Sequence, residues 1–250
     1  MKALRLLTAT ALTAATTFSA SAGDRRFAFS YEADTAPAGS HEFEQSVTWK
    51  GRKGENHDFS EFTFREEFEF GLTDRLQLGI YLFDWQSLNG TMNDGTSFKD
   101  TGIELIYNLS DPTTDFIGSA LYGEVVWGQD IFKLEGKVLL QKNVGKWMFA
   151  YNTILEAKWE GDDYEEENGA WENTFGVSYQ INPSISVGVE ALHEVEFEGW
   201  EESSEHFFWV GPNLSYRKKD WFIVVAPLFQ VTDVDGEPDF VTRTVMGFHF

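Results

Sequence analysis

Residues 61–70, EFTFREEFEF, set Phe62, Phe64, Phe68 and Phe70 on one side of an extended chain and Glu61, Thr63, Arg65, Glu67 and Glu69 on the other. A helix would scatter those phenylalanines around its circumference, so a period of two predicts a strand with one apolar face. The alternation recurs in LQLGIYL (76–82), where Leu76, Leu78, Ile80 and Leu82 oppose Gln77, Gly79 and Tyr81. In FKLEGKVLLQ (132–141), Phe132, Leu134, Val138 and Leu140 oppose Lys133, Glu135, Lys137 and Gln141. In ISVGVEALHEVEF (185–197), Ile185, Val187, Val189, Ala191, Val195 and Phe197 oppose Ser186, Gly188, Glu190, Glu194 and Glu196.

The pattern predicts twelve strands, at 42–50, 59–71, 76–88, 98–109, 117–128, 131–144, 147–160, 171–181, 185–200, 206–218, 221–233 and 240–250. Their connections alternate in kind. LTDR (72–75), NVGK (143–146), NPS (182–184) and KKD (218–220) are tight turns, and SDPTTD (110–115) is a little longer. Longer loops are expected at 51–58, 89–97, 161–170, 199–205 and 233–239, with GQD (128–130) breaking that rule. Short turns on one side and long loops on the other describe an antiparallel up-and-down meander.

A soluble barrel and a membrane barrel share this alternation, and three further features choose between them. Many segments reach the roughly ten residues that a tilted strand needs to cross a bilayer. Trp49, Trp127, Trp159 and Trp171 fall near the long loops and Trp147 and Trp221 near the short turns, as two interfacial girdles require. The chain closes on TVMGFHF, with Met246, Phe248 and Phe250 on one face. That pattern is similar to the C-terminal strand that outer-membrane barrels present to the barrel-assembly machinery. The expected fold is all-β, a transmembrane antiparallel up-and-down β-barrel of about twelve strands, spanning 41–250.

The segment before it reads in two parts. Residues 1–22 carry Lys2 and Arg5, a moderately apolar run and an Ala20-Ser21-Ala22 cleavage site, the grammar of a secretory signal peptide. Residues 23–40 stand outside the strand count. An even count puts both termini on the periplasmic side, so they are expected as a periplasmic segment or one tucked into the lumen. The location implied is the outer membrane, with lipid, lipopolysaccharide and the assembly machinery as partners.

Composition narrows the function classes. The 41 acidic residues against 19 basic ones give a formal charge of −22, more negative still once Lys2 and Arg5 are removed, which argues against nucleic acid. With no cysteine, disulfides contribute nothing.

Four passages, FAFSYEADTAPAGSHEFEQSVTW, EFEFGLTDRLQLGIYL, LEGKVLLQKNVGKWMFAYNTILEAKWE and FWVGPNLSYRKKDWFIVVAPLFQ, together resemble an uncharacterised family of Gram-negative outer-membrane β-barrel proteins related to the barrels assigned to the MetA pathway of phenol degradation. The resemblance spans nearly the whole mature chain and implies a transporter-like or channel-like role.

If the phenylalanines and leucines face lipid, the polar faces line the lumen, and they carry thirteen carboxylates against six basic residues. Unpaired dry charges are costly, so water or cations are expected inside. The candidate network comprises Arg65, Glu67, Glu69, Lys133, Glu135, Lys137, Glu156, Lys158, Glu190, Glu194, Arg217 and Arg243. Pairing Val144 with Trp147 would set Glu135 opposite Glu156 and Lys133 opposite Lys158. Such a ladder either braces the wall structurally or forms the constriction of a cation-favouring pore, and a barrel of this size lies between the filled and the open types.

The first function expected is passive passage of a small neutral or cationic solute. The alternative is a non-conducting structural or adhesive barrel closed by its charges and by residues 24–40. No cofactor and no metal site is expected, since the acidic loops lack the spacing of a Ca²⁺ loop. Nor is an enzyme expected: none of the five histidines sits in a catalytic motif, although His206 could meet Asp162 and Asp163 at the rim. His193 and Glu66 fall on the lipid face, for which a β-bulge or a register change is the expected remedy.

Overall fold

The computed structural model describes residues 25–250 apart from Asp162, so the expected signal segment 1–22 lies outside the described residues. The strands are β1 (His41–Lys53), β2 (Asn56–Thr73), β3 (Leu76–Asn89), β4 (Gly95–Ser110), β5 (Gly118–Gly128), β6 (Ile131–Val144), β7 (Trp147–Glu160), β8 (Glu166–Asn182), β9 (Ile185–Glu198), β10 (Glu202–Ser203), β11 (Phe207–Arg217), β12 (Trp221–Gln230) and β13 (Pro238–His249). The two-residue β10 only extends the β9 hairpin. The twelve others pair antiparallel with their neighbours, and β13 pairs with β1 from Glu42↔His249 to Lys53↔Pro238, closing a twelve-stranded barrel with no free edge.

Closure explains why alternating strands suffice in lipid, since every ladder group finds a partner around the ring. The outward aromatics form two belts. Trp49 packs on Phe62 and Phe240, and Phe132 on Trp159, toward the long loops; Trp147 meets Tyr179 and Tyr216 meets Trp221 toward the short turns. In the β4–β5 turn Asp111 accepts from the N–H groups of Thr114 and Thr113, both at 2.7 Å, and these bonds hold its carboxyl below the usual range.

Three expectations change. The loop expected at 51–58 is instead a tight hairpin, with only Gly54 and Glu55 between β1 and β2, and β8 begins at Glu166 rather than at 171. Beyond the lipid neither face is apolar, so pairing continues where the period-two signal stops. Second, neither awkward residue is turned inward. His193 sits in regular register opposite Asn173, and Glu66 stays on the outward face opposite Gln45. The bulge beside Glu66 lies on β3, where Leu82 is the extra residue between Tyr81 and Phe83. His193 finds partners on the outer wall: its ring nitrogens lie 3.1 Å from Asn173 and 2.8 Å from His206.

Third, the lumen is not polar throughout. The strand WFIVVAPLFQ is apolar at every position before Gln230, so alternation could not assign its faces. Phe222, Val224, Ala226 and Leu228 point inward and are fully buried, joined by Phe207 and Trp209 from β11 and Val241 and Val245 from β13. Ala28 and Phe29, from the segment before β1, complete this cluster. Phe222→Ala should therefore cost about 3–5 kcal/mol, as for aromatic truncation in a packed core. Urea unfolding of the refolded barrel, read by tryptophan fluorescence, measures it; an effect below about 1 kcal/mol would mean that the inward apolar sector is not packed.

Candidate functional site

Residues 25–40 run inside the barrel, near its short-turn end, without joining the sheet. A backbone there has no strand edge to pair with, so its polar groups need side-chain partners. Glu190 on β9 accepts from the N–H groups of Ala28 (2.8 Å), Phe29 (2.8 Å) and Ser30 (3.0 Å), and from Asn213 Nδ2 (3.0 Å). Asn152 on β7 accepts from the Tyr31 N–H at 2.7 Å and donates to the Tyr31 carbonyl at 3.0 Å, as a paired strand would. Gln141 on β6 takes the Ala33 N–H (2.7 Å), Asn108 on β4 donates to the Ala33 carbonyl (2.7 Å), and Gln77 on β3 takes the Ala36 N–H (2.8 Å). Asn213 and Ser215 on β11 donate to the carbonyls of Arg26 and Arg25. The Phe27 ring lies against β8 at Gly176, where any Cβ would collide with it. The segment is a plug held from around the ring.

Above the plug, the charged wall is built by β2 to β7. Arg65 meets Asp84 Oδ2 at 2.7 Å and lies over the Tyr81 ring at 3.8 Å. Lys133 reaches Glu124 (3.0 Å), Glu135 (3.2 Å) and Glu156 (3.2 Å), so one ammonium compensates carboxylates from three strands. Lys137 pairs with Glu135 at 2.6 Å and stands over the rings of Tyr122 and, from the plug, Tyr31. The hydroxyls of Tyr81 and Tyr122 meet Glu104 Oε2 and Glu124 Oε2 at 2.5–2.7 Å. The β6–β7 register places Glu135 opposite Glu156 and Lys133 opposite Lys158.

Of the residues expected in one network, Arg65, Lys133, Glu135, Lys137 and Glu156 come together, with Asp84 and Glu124 between them. The others disperse. Glu69 pairs with Arg25 of the plug, and Glu67 lies beside it on the same inward face. Lys158 pairs with Glu160 farther toward the long loops, and Glu194 faces Glu172 across β8 and β9. Arg243 donates to Thr48 Oγ1 at 2.9 Å and covers the Phe29 ring. Arg217 donates to the Pro183 carbonyl at a short turn. Glu190 serves the plug. On the outer wall, Met246 and Phe248 lie in β13, and the Phe250 N–H donates to the His41 carbonyl just past its end. His206 stacks on His193, on the outward face.

Sequence reading did not single out the carboxamides Gln77, Asn108, Gln141, Asn152 and Asn213 as plug ligands. A signal was present: each is an uncharged inward position in the half of its strand nearest a short turn, and the other half turns charges inward on β3, β4, β6 and β7 and the aromatics Phe207 and Trp209 on β11.

Between plug and long loops lies a cavity of about 410 Å³. Its lining carries thirteen carboxylates against eight basic side chains, so its field favours cations. Opposite them, Phe29, Leu192, Trp209, Pro238, Val241 and Val245 supply an apolar wall. The cavity is two-sided.

Residues 19–244 match the model of a family of unknown function, DUF6662. A search of curated proteins finds no match to this chain. Among solved structures, the COG4313 outer membrane channel from Pseudomonas putida F1 superposes with a TM-score of 0.59 at 14% identity, covering 87% of this chain and 97% of that one. The NanC porin gives 0.57 at 12%, covering 82% and 98%. The KdgM porin in complex with disordered oligogalacturonate gives 0.50 at 11%, covering 84% and 99%. At such identities the likeness shows a shared fold, that of small outer-membrane channels.

The two kinds of ion pair should separate under mutation. Lys133→Met leaves three nearly buried carboxylates without their shared cation and should destabilise the barrel by about 3–5 kcal/mol. Lys158→Met removes a partly exposed pair and should cost about 0–1 kcal/mol. Denaturant midpoints of the two variants at matched m-values measure the difference; equal costs would contradict the shared-cation arrangement.

Proposed function

This barrel is a member of the DUF6662 family, and we propose that it is an outer-membrane channel for small neutral or cationic solutes whose periplasmic mouth is held shut by its own N-terminal segment. One observation carries the reading: a cavity of about 410 Å³ with an excess of carboxylates, floored by a segment whose backbone is bonded to six different strands. A packed, structural lumen would have no need of a separate chain segment to fill one end of it. Passage then requires that residues 25–40 shift, and their hydrogen bonds to side chains rather than to a strand ladder are of the kind that individual rotamer changes can release.

The solute class follows from the walls and not from the similar structures. An oligogalacturonate, the acidic saccharide in the KdgM complex, would face thirteen carboxylates here. The apolar wall around Trp209 and Phe29 suits a solute with a hydrocarbon or aromatic part, in keeping with the kinship to phenol-pathway barrels that the sequence passages suggest. The reading assigns no catalytic step. Lipid and lipopolysaccharide contact the aromatic belts, and the terminal Phe250 serves barrel assembly.

The second reading, a non-conducting structural or adhesive barrel, is favoured by the same plug, because its bonds tie it to six strands around the ring. Planar-bilayer recording of refolded protein separates the two. Wild type should give rare or small steps, and a chain lacking residues 25–38 should give steady cation-selective ones. Glu190→Ala, which frees three plug N–H groups, should fall between, and Glu194→Gln in the unplugged chain should weaken the selectivity. A folded, unplugged barrel that stays silent would establish the second reading.

A further inference from the structure

Below the charged wall, inward carboxylates from three strands gather around a gap. Glu42 and Glu44 on β1 face Glu69 and Glu67 on β2, and Glu104 on β4 lies across from them. The strand between β2 and β4 contributes Gly79, which pairs with Glu69 on one side and Glu104 on the other. Having no side chain, Gly79 leaves a space that Glu67 Oε1 and the Glu104 side chain enter from either side; a Cβ there would strike both.

The bonds within this group are unevenly shared. Glu69 is held by Arg25 at 3.3 Å and by Gln77 at 2.8 Å, Glu44 is held by Arg25 at 2.8 Å, and His249 meets Glu42 Oε2 at 2.8 Å while Glu42 Oε1 stays buried without a hydrogen bond. Glu104 receives tyrosine hydroxyls on Oε2 alone. Glu104 Oε1 and Glu67 Oε1 are buried with no hydrogen-bond partner, in residues 0% and 4% exposed, and among the described residues no basic group lies within ion-pair distance of either. A buried carboxylate oxygen in that condition needs a proton or a cation.

The geometry points to a cation. Glu67, Glu69 and Glu104 each bring one oxygen within 4.8 Å of the others. Oxygens about 2.3–2.6 Å from a common centre are spaced in this way, the requirement of Ca²⁺ and similar hard ions. We propose that Glu67, Glu69 and Glu104 form an intralumenal binding site for a hard divalent cation, with Arg25 of the plug beside it as a competing positive charge. The site differs from the acidic outer loops, where no such spacing was expected, and it stands whether or not the lumen conducts. Its seat over Gly79 places the ion where the plug's own cation ends, so ion and plug neutralise one carboxylate cluster together.

The test uses the full chain, refolded in detergent, stripped with chelator and checked for folding by heat-shifted gel mobility. Equilibrium dialysis against Ca²⁺ then counts bound ions in wild type, Glu67→Gln, Glu104→Gln, Arg25→Gln and the outer-loop control Glu165→Gln. Wild type and the loop control should hold one tight ion per chain, which Glu67→Gln and Glu104→Gln lose or bind at least about tenfold more weakly, a difference of about 1.4 kcal/mol. Arg25→Gln should bind it more tightly, and Ca²⁺ should raise the melting temperature of wild type but not of Glu67→Gln. No tight ion in wild type, or the same ion count in Glu67→Gln as in wild type, would overturn the proposal and leave protons as the neutralising partners. Should the glutamine variants not fold, the Arg25→Gln affinity decides, unchanged or weaker binding counting against the site.

Discussion

A chain lying inside a closed barrel meets no unpaired strand edge, and every amide it carries must find a partner or remain unsatisfied at a cost of about 1–3 kcal/mol. The arrangement of the lumen follows from that constraint. Glu190 satisfies three consecutive N–H groups, Asn152 imitates a strand with one donor and one acceptor, and Gln141, Asn108 and Gln77 continue the pattern around the ring. Because these ligands come from β3, β4, β6, β7, β9 and β11, the plug is centred rather than laid along one wall. A fixed position for Arg25 and Tyr31 results, and with it the charge balance above them.

The charged and apolar halves of the lumen divide the remaining work. On β11 to β13 the inward side chains pack against Ala28 and Phe29, so hydrophobic contact fixes one flank of the plug. On β1 to β6 the inward side chains include many carboxylates held by few cations, chiefly Arg25, Arg65, Lys133 and Lys137. Two of those four compensate charge and touch plug residues as well: Arg25 belongs to the plug, and Lys137 lies over its Tyr31. Moving the plug therefore disturbs electrostatics and packing together, which is how a small segment can control a whole lumen.

The barrel was legible in the sequence because lipid outside and water inside impose a period of two on every crossing strand. Strand number, closure and the β6–β7 ladder followed from the pattern and its turns. Two things escaped it for physical reasons. Where both faces are polar, as at Asn56–Asp58 and Glu166–Ala170, pairing persists without a hydrophobic signature. Where both faces are apolar, as in β12, the period vanishes and the inward face of Phe222 and Leu228 goes unseen. The plug site escaped for a third reason. Its ligands are single carboxamides on separate strands, brought to one level only by the register of the closed sheet, and no local spacing encodes that.

The central claim is that residues 25–40 are bound inside the barrel by side chains from its wall. Hydrogen exchange of the folded protein, read at the amides of Ala28, Phe29, Ser30, Tyr31, Ala33 and Ala36, tests it most directly. The account predicts exchange as slow as that of the neighbouring strand β9, with Glu190→Ala releasing the first three of those amides selectively. Exchange of all six at the rate of an unstructured peptide, in a barrel whose strands remain protected, would contradict it.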